Sequence, residues 1–175
     1  MAQNFHVAIH EAGHAVAFLA HGCTVEWIML DCDSVGGRVF PGVLPASEKS
    51  DAIITLAGIM AEQIALEKDV IDVPPQELPN FSRVPFEEKD DDESKYRSLV
   101  YRLQRSQPIW TRIGIDRELK RETRELIERY WNAVLEIAHA LHAAPERPNH
   151  LARTMEKVLD GAIVERIFKL TTRTG

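Results

Sequence analysis

The hydrophobic pattern of the first twenty residues, NFHVAIHEAGHAVAFLAH, predicts a helix from about Asn4 to His21 that is buried nearly all round. Its apolar residues occupy two flanks at about 100° per residue, and its histidines share a third. Gly22 stands where a left-handed residue would end the helix. The chain therefore begins with a helix that places several imidazole rings on one side.

A small sheet is predicted next. The segment TVEWIMLD is rich in strand-forming residues, and GGRVFPG can pair with it as a hairpin. Pro41 indicates that the second strand is short or lies at an edge, because proline cannot donate a hydrogen bond to a neighbouring strand. An exposed edge of this Cys23 to Phe40 sheet is a place where a peptide could dock.

The pattern then predicts a second helix from about Ser47 to Lys68, in which Ala57, Gly58 and Ala61 form a narrow strip of small residues. Such a strip indicates that another element packs closely against it. A proline-rich, acidic loop follows over residues 69–91.

Helical periodicity dominates the rest of the chain. It predicts helices over DESKYRSLVYRL, from Ile115 to Leu141, and over HLARTMEKVLDGAIVERIFKL, the last interrupted near Asp160 and Gly161. Together these elements predict a mainly α (α+β) fold with a small hairpin or sheet. With 175 residues, 45% of them apolar, we expect one domain over residues 1–175.

Charge and composition narrow the partners. The net charge is -6, and no dense cluster of Lys and Arg suggests a phosphate-binding surface, so nucleic acid is not an expected partner. No uncharged run approaches the roughly 18 residues of a membrane span, and the N-terminus lacks a signal-peptide pattern. Cys23 and Cys32 fit neither a metal knuckle nor a disulfide framework. We therefore expect a soluble cytoplasmic protein with two reduced thiols and no membrane contact.

The motif that carries chemistry is HEAGH, formed by His10, Glu11, Ala12, Gly13 and His14. Side chains four apart on a helix lie on one face, so two imidazoles can bind one zinc ion with bonds of about 2.0–2.1 Å. Glu11 is turned only about 60° from His14, beside the ion, where it can accept a proton from the water that zinc activates. The alternative is that both histidines are ordinary core residues satisfied by hydrogen bonds.

The other histidines have no matching glutamate. His6 and His21 share the stripe of His10 and His14, and we expect them to be rim or packing residues. No role is assigned to His139, His142 or His150.

The segment AIHEAGHAVAFLAHG resembles the zinc-site helix of the peptidase domain of FtsH-type, ATP-dependent proteases. The later LAGIMAEQIAL is similar to a second helix of that family and keeps Gly58, Ala61 and Glu62, whereas Ile59 and Gln63 depart from its pattern. WNAVLEIAHALHA and VLDGAIVERIF also look like its closing helices. The resemblance implies a zincin-like, mainly helical domain, a zinc ion, and an aspartate ligand near the start of a later helix.

Three aspartates, Asp90, Asp91 and Asp92, are candidates for that third ligand. Helical steps from Asp92 meet Tyr96, Leu99 and Val100, so Asp92 shares the apolar face of its helix. Glu62 is the reserve candidate, with a supporting role beside a ligand preferred for it. A solvated acidic helix start is the alternative for all three aspartates.

The sequence thus predicts a zinc metalloendopeptidase with His10, His14 and Asp92 as ligands and Glu11 as general base. We find no G-x-x-x-x-G-K-[ST] nucleotide-binding loop, so we expect an unfolded protein or peptide as substrate, with a delivery partner as an option. One alternative is a catalytically silent domain that binds a protein. Another is a zinc hydrolase acting on other substrates. Cleavage preference and oligomeric state stay open.

Overall fold

The computed structural model describes residues 5–32, 36–72, 92–106, 114–150 and 153–173. Within these ranges the chain forms six helices and one four-stranded sheet, so the expected mainly α (α+β) class is confirmed. In chain order the elements are α1 Phe5–Ala20, β1 Thr24–Asp31, β2 Gly36–Val43, α2 Glu48–Glu67, α3 Asp92–Ser106, α4 Ile115–Arg129, α5 Trp131–Ala143, β3 Glu146–Asn149, β4 Thr154–Asp160 and α6 Gly161–Arg173.

The sheet is antiparallel throughout, in the order β2, β1, β4, β3. The predicted hairpin between β1 and β2 is confirmed, with Trp27 opposite Phe40 and their rings stacked at a centroid distance of 3.5 Å. Among the described residues β2 forms one edge of the sheet, as the proline at position 41 indicated. One side of the sheet therefore ends in a strand with an open edge.

Helix α1 lies at the centre of the structure, packed against α2, α5 and the first two strands. The small-residue strip of α2 faces it. A Cβ atom added at Gly13 would lie 2.6 Å from the carbonyl oxygen of Ala57 and 2.7 Å from the Cβ of Ala61. The two helices approach closely because both carry small residues at the crossing, which brings α2 within reach of the HEAGH motif.

The helix ends follow their sequence signals. Gly22 adopts a φ of 75°, the left-handed conformation expected after α1. The side chain of Ser47 accepts a hydrogen bond from the backbone N–H of Ser50 and caps α2. Cys23 is buried and Cys32 is half-buried, and neither forms a disulfide bond in the structure described. None of the helices in the described ranges is long and apolar enough to cross a membrane.

Two predicted elements differ in the structure. The pattern from Ile115 to Leu141 is divided at Tyr130 into α4 and α5, because the backbone of Tyr130 leaves the helical conformation at φ −106° and ψ 22°. The helical prediction for HLARTMEKVLD is wrong over Thr154–Asp160, which forms strand β4. Among the described residues of the predicted last helix, those from Gly161 onward are helical.

Tertiary pairing explains the second difference. Strand β4 lies between β1 and β3, and Ile28 of β1 stands opposite Leu159. Helical spacing of apolar residues in a short segment also fits a strand that packs on a core, so periodicity alone could not separate the two. The predicted break is real, because Asp160 accepts a hydrogen bond from the backbone N–H of Ala162 and starts α6.

The predicted loop over residues 69–91 is described only to position 72, so most of that prediction lies outside the described residues.

Candidate metal centre

Three of the predicted site residues meet at the N-terminal end of α3. His10 and His14 lie one turn apart on α1, and Asp92 is the first residue of α3. The Oδ2 atom of Asp92 lies 3.0 Å from the Nε2 atom of each histidine, and the two Nε2 atoms are 3.0 Å apart. The structure therefore brings together the two histidines and the preferred aspartate, whereas Asp90 and Asp91 lie outside the described residues.

The other ring nitrogen of each histidine has its own acceptor. Nδ1 of His14 lies 2.7 Å from the backbone carbonyl oxygen of Ile54, and Nδ1 of His10 lies 3.1 Å from Oε1 of Glu62. Carbonyl and carboxylate oxygens only accept hydrogen bonds, so both Nδ1 atoms carry a hydrogen. The neutral rings then present bare Nε2 lone pairs to each other and to Asp92.

Three lone-pair donors facing each other at 3.0 Å repel unless a cation lies between them. A proton can bridge only one of the three pairs, whereas a divalent ion can bind all three atoms at once. A tetrahedral zinc ion with bonds of about 2.0–2.1 Å places its ligand atoms roughly 3.3–3.4 Å apart. The triangle of His10, His14 and Asp92 needs to widen by only a few tenths of an ångström, so these residues fit zinc.

The pKa shifts of His10 and Asp92 also indicate that a positive charge stabilises this cluster. Burial lowers the pKa of His10, but hydrogen bonds to the carboxylates of Asp92 and Glu62 outweigh it and raise that pKa to about 10. Burial raises the pKa of Asp92, but the neighbouring His14 and His10 hold it well below its usual range. When no metal is bound, a proton on His10 thus takes the place of the cation.

Glu11 lies beside this cluster, between α1 and strand β2. Its side chain is 6% exposed, and a Cβ atom added at Gly37 would lie 2.5 Å from its Cγ atom. Burial raises the pKa of Glu11, while the positive charge of His14 and His10 lowers it. A carboxyl group whose basicity is increased by burial is suited to accept a proton.

A glycine on α2 makes room for the imidazoles. A Cβ atom at Gly58 would lie 2.5 Å from Nε2 of His10 and 2.6 Å from Nε2 of His14. The sequence showed Gly58 only as part of the small-residue strip. Its position directly under both ring nitrogens depends on how α2 crosses α1.

The cluster opens into a cleft of about 620 Å³. One face of α1, one face of α2 and residues 36–39 of β2 line it. Of the three clustered side chains Asp92 is 32% exposed and the histidines are 10–13% exposed, so the open side of the triangle faces this cleft. A catalytic zinc site needs such an open position, whereas a structural site is closed by a fourth protein ligand.

Glu62, the reserve candidate, contacts the far nitrogen of His10 and not the one that faces Asp92. This contact favours the tautomer of His10 with its hydrogen on Nδ1, and a supporting role for Glu62 beside a metal ligand stays a prediction. Asp51 and Lys95, 3.8 Å apart, line the cleft as well and were not singled out in the sequence. The carbonyl of Ile54 carries no signal in the sequence, because any residue provides a carbonyl.

The remaining histidines lie in three different places. His6 lines the cleft. His21 caps the end of α1, with Nδ1 2.9 Å from the carbonyl oxygen of Ala17. His139 and His142 pack around the ring of Phe5. The expectation for His6 and His21 thus holds for their positions at the rim and at the helix end.

We expect Glu62→Gln to weaken zinc binding by about 10- to 100-fold, because the neutral amide no longer increases the basicity of His10. Competition with a coloured zinc chelator measures the change. Glu67→Gln is the matched control, since Glu67 lies on the same helix but pairs with Arg124 at the surface. Equal zinc affinity in the two variants would show that Glu62 does not support a zinc ligand.

Comparison of the chain with protein-family models and with curated proteins finds no match.

Proposed function

We propose that the chain is a zinc-dependent endopeptidase in which His10, His14 and Asp92 bind the ion and Glu11 is the general base. One observation carries the proposal. Nε2 of His10, Nε2 of His14 and Oδ2 of Asp92 lie 3.0 Å from one another in the wall of a cleft, and a buried glutamate lies next to them. Two imidazoles and a carboxylate with an open position are a typical donor set of hydrolytic zinc enzymes.

A bound zinc ion would supply Lewis acidity, polarising the substrate carbonyl and making water acidic enough to be deprotonated near neutral pH. Glu11 takes the proton of the attacking water and then passes it to the amine that leaves. Its burial keeps it basic enough for the first step, and its position one residue after His10 keeps it off the three ligand positions. The peptide bond is thus cleaved without a covalent link to the protein.

Strand β2 favours an extended peptide as substrate. Its residues Gly36 to Val39 line the cleft, and β2 forms an edge of the sheet among the described residues. A peptide that pairs with this edge would run across the mouth of the metal site, and the carbonyl groups that do not pair with β2 would be free to meet other residues of the cleft.

The resemblance of AIHEAGHAVAFLAHG to FtsH-type peptidase helices also favours peptide bonds over other carbonyl substrates. Because an extended chain can pair with the edge strand β2, we propose unfolded proteins as substrates, with delivery by another protein where the substrate is folded. The free thiols of Cys23 and Cys32 are compatible with the reducing conditions of the cytoplasm.

Metal removal tests the proposal. We expect the purified protein to cleave a casein-type unfolded substrate, to lose that activity after treatment with a chelator, and to regain it with stoichiometric Zn²⁺. Bound zinc without cleavage would support the silent binding domain instead. Failure to bind zinc would overturn both.

A further inference from the structure

Helix α1 carries His6, His10 and His14 at intervals of four residues, and His21 follows directly after its last residue. Three of these four histidines use Nδ1 in a contact: His10 with Glu62, His14 with the carbonyl of Ile54, and His21 with the carbonyl of Ala17. Nδ1 of His6 is buried and has no hydrogen-bond partner among the described residues. His6 therefore differs from the others in what holds its ring.

The cleft contains a second polar atom of this kind. Of the four buried side-chain atoms without a partner in the described part of the chain, two belong to residues that line the cleft, Nδ1 of His6 and Oγ1 of Thr55. Buried polar atoms are satisfied in most folded proteins, and an exception calls for a reason. Neither atom is accessible from the cleft, so for His6 the consequence lies in which of its two ring nitrogens carries the hydrogen.

The burial of Nδ1 also determines which nitrogen of His6 can donate. A buried N–H without an acceptor is costly and is rarer than an unfilled acceptor. A neutral His6 therefore prefers the tautomer with its hydrogen on Nε2. The side chain is half-buried and lines the cleft, so the accessible edge of the ring is the one that carries this donor.

We propose that His6 binds the main chain of the substrate, with Nε2–H donating to a peptide carbonyl oxygen. This inference rests on the proposed function. His6 lies four residues before His10, about 6 Å further along the helix axis, and an extended peptide advances about 3.3 Å per residue. The contacted carbonyl is therefore about two residues from the bond that is cleaved.

A contact so far from the reacting carbonyl is made equally in the ground state and in the transition state. Its loss raises KM and leaves kcat nearly unchanged. A neutral hydrogen bond of ordinary strength corresponds to a change of about five- to tenfold. The effect depends on substrate length, because a peptide that ends before the contacted carbonyl does not form this hydrogen bond with His6.

The experiment compares two fluorogenic peptides on the zinc-loaded protein, one extending at least three residues on each side of the cleaved bond and one truncated to a single residue on each side. We expect His6→Ala to raise KM about five- to tenfold for the long peptide and to leave the short peptide and the zinc content unchanged. His6→Asn, which keeps an N–H donor, should recover part of the loss. His21→Ala is the control on the same helix.

Four outcomes overturn the inference or separate it from the proposed function. Equal KM values for wild type and His6→Ala on the long peptide would exclude the contact while leaving the peptidase intact. Equal effects on both peptides would show that His6 only supports the fold. If the wild-type protein binds the long peptide without cleaving it, the proposed function fails, and fluorescence anisotropy of the same variants decides the role of His6. If it binds neither peptide, both proposals fall.

Discussion

Replacing Glu11 with glutamine is expected to lower kcat on an unfolded protein substrate by about 10²- to 10⁴-fold, the range that general-base catalysis contributes. Glutamine keeps the shape of the side chain beneath β2 but cannot take a proton from water. The three candidate zinc ligands are untouched, so the zinc content should not change. Initial rates and elemental analysis of the same preparation measure both quantities.

The control for this variant is Glu62→Gln, the same substitution on a carboxylate that contacts His10 from behind. That variant should lose zinc affinity and recover its rate at high zinc concentration, whereas Glu11→Gln should stay inactive at any zinc concentration. If Glu11→Gln turns over casein as the wild type does, Glu11 is not the base. A loss of zinc in Glu11→Gln would instead place Glu11 among the ligands.

Much of this centre could be predicted from the sequence because its central part is local. The spacing of His10 and His14 determines that their side chains share a helix face, whatever the rest of the chain does. The same argument applied to α3 selects Asp92. Among the three aspartates it lies one turn before Tyr96 on the same helix face, and Tyr96 is fully buried. Both steps use helix geometry within one element, but that the third ligand is an aspartate near the start of a later helix was implied by the family resemblance and not by spacing.

What could not be predicted depends on contacts between distant parts of the chain. Gly58 leaves the space that the imidazole rings of His10 and His14 occupy. The hydrogen-bond acceptor for His14 is the carbonyl of Ile54, 40 residues away. Neither is visible until α2 is placed across α1. The packing of Gly37 over Glu11 depends in the same way on the position of the β1–β2 hairpin.

The same limit applies to the fold. The first hairpin was predictable because its two strands adjoin in sequence and its turn region is rich in glycine. Strand β4 was not, because it pairs with β1 across more than a hundred residues and its apolar positions suit a helix equally well. Pairing with the central strand, and not the local preference of Thr154–Asp160, decides its conformation.

Zinc at about one hundred times its Kd is expected to raise the free energy of unfolding by about 2.7 kcal/mol, which for a chain of this size is a rise in melting temperature of roughly 5–11 °C. His14→Ala should abolish that rise, because it removes one of the three converging lone pairs. His21→Ala, which alters the same helix at its far end, should keep it. Thermal unfolding with and without Zn²⁺ measures the difference.

Zinc binding should also release close to one proton at pH 7. In the metal-free protein the pKa of His10 is about 10, so its ring is protonated at neutral pH and must give up that proton before Nε2 can bind an ion. The affinity for zinc should therefore rise about tenfold per pH unit as the pH increases from 7 toward 9. Calorimetry in buffers of different ionisation enthalpy counts the proton. A binding constant that does not vary with pH would mean that zinc displaces no proton from His10.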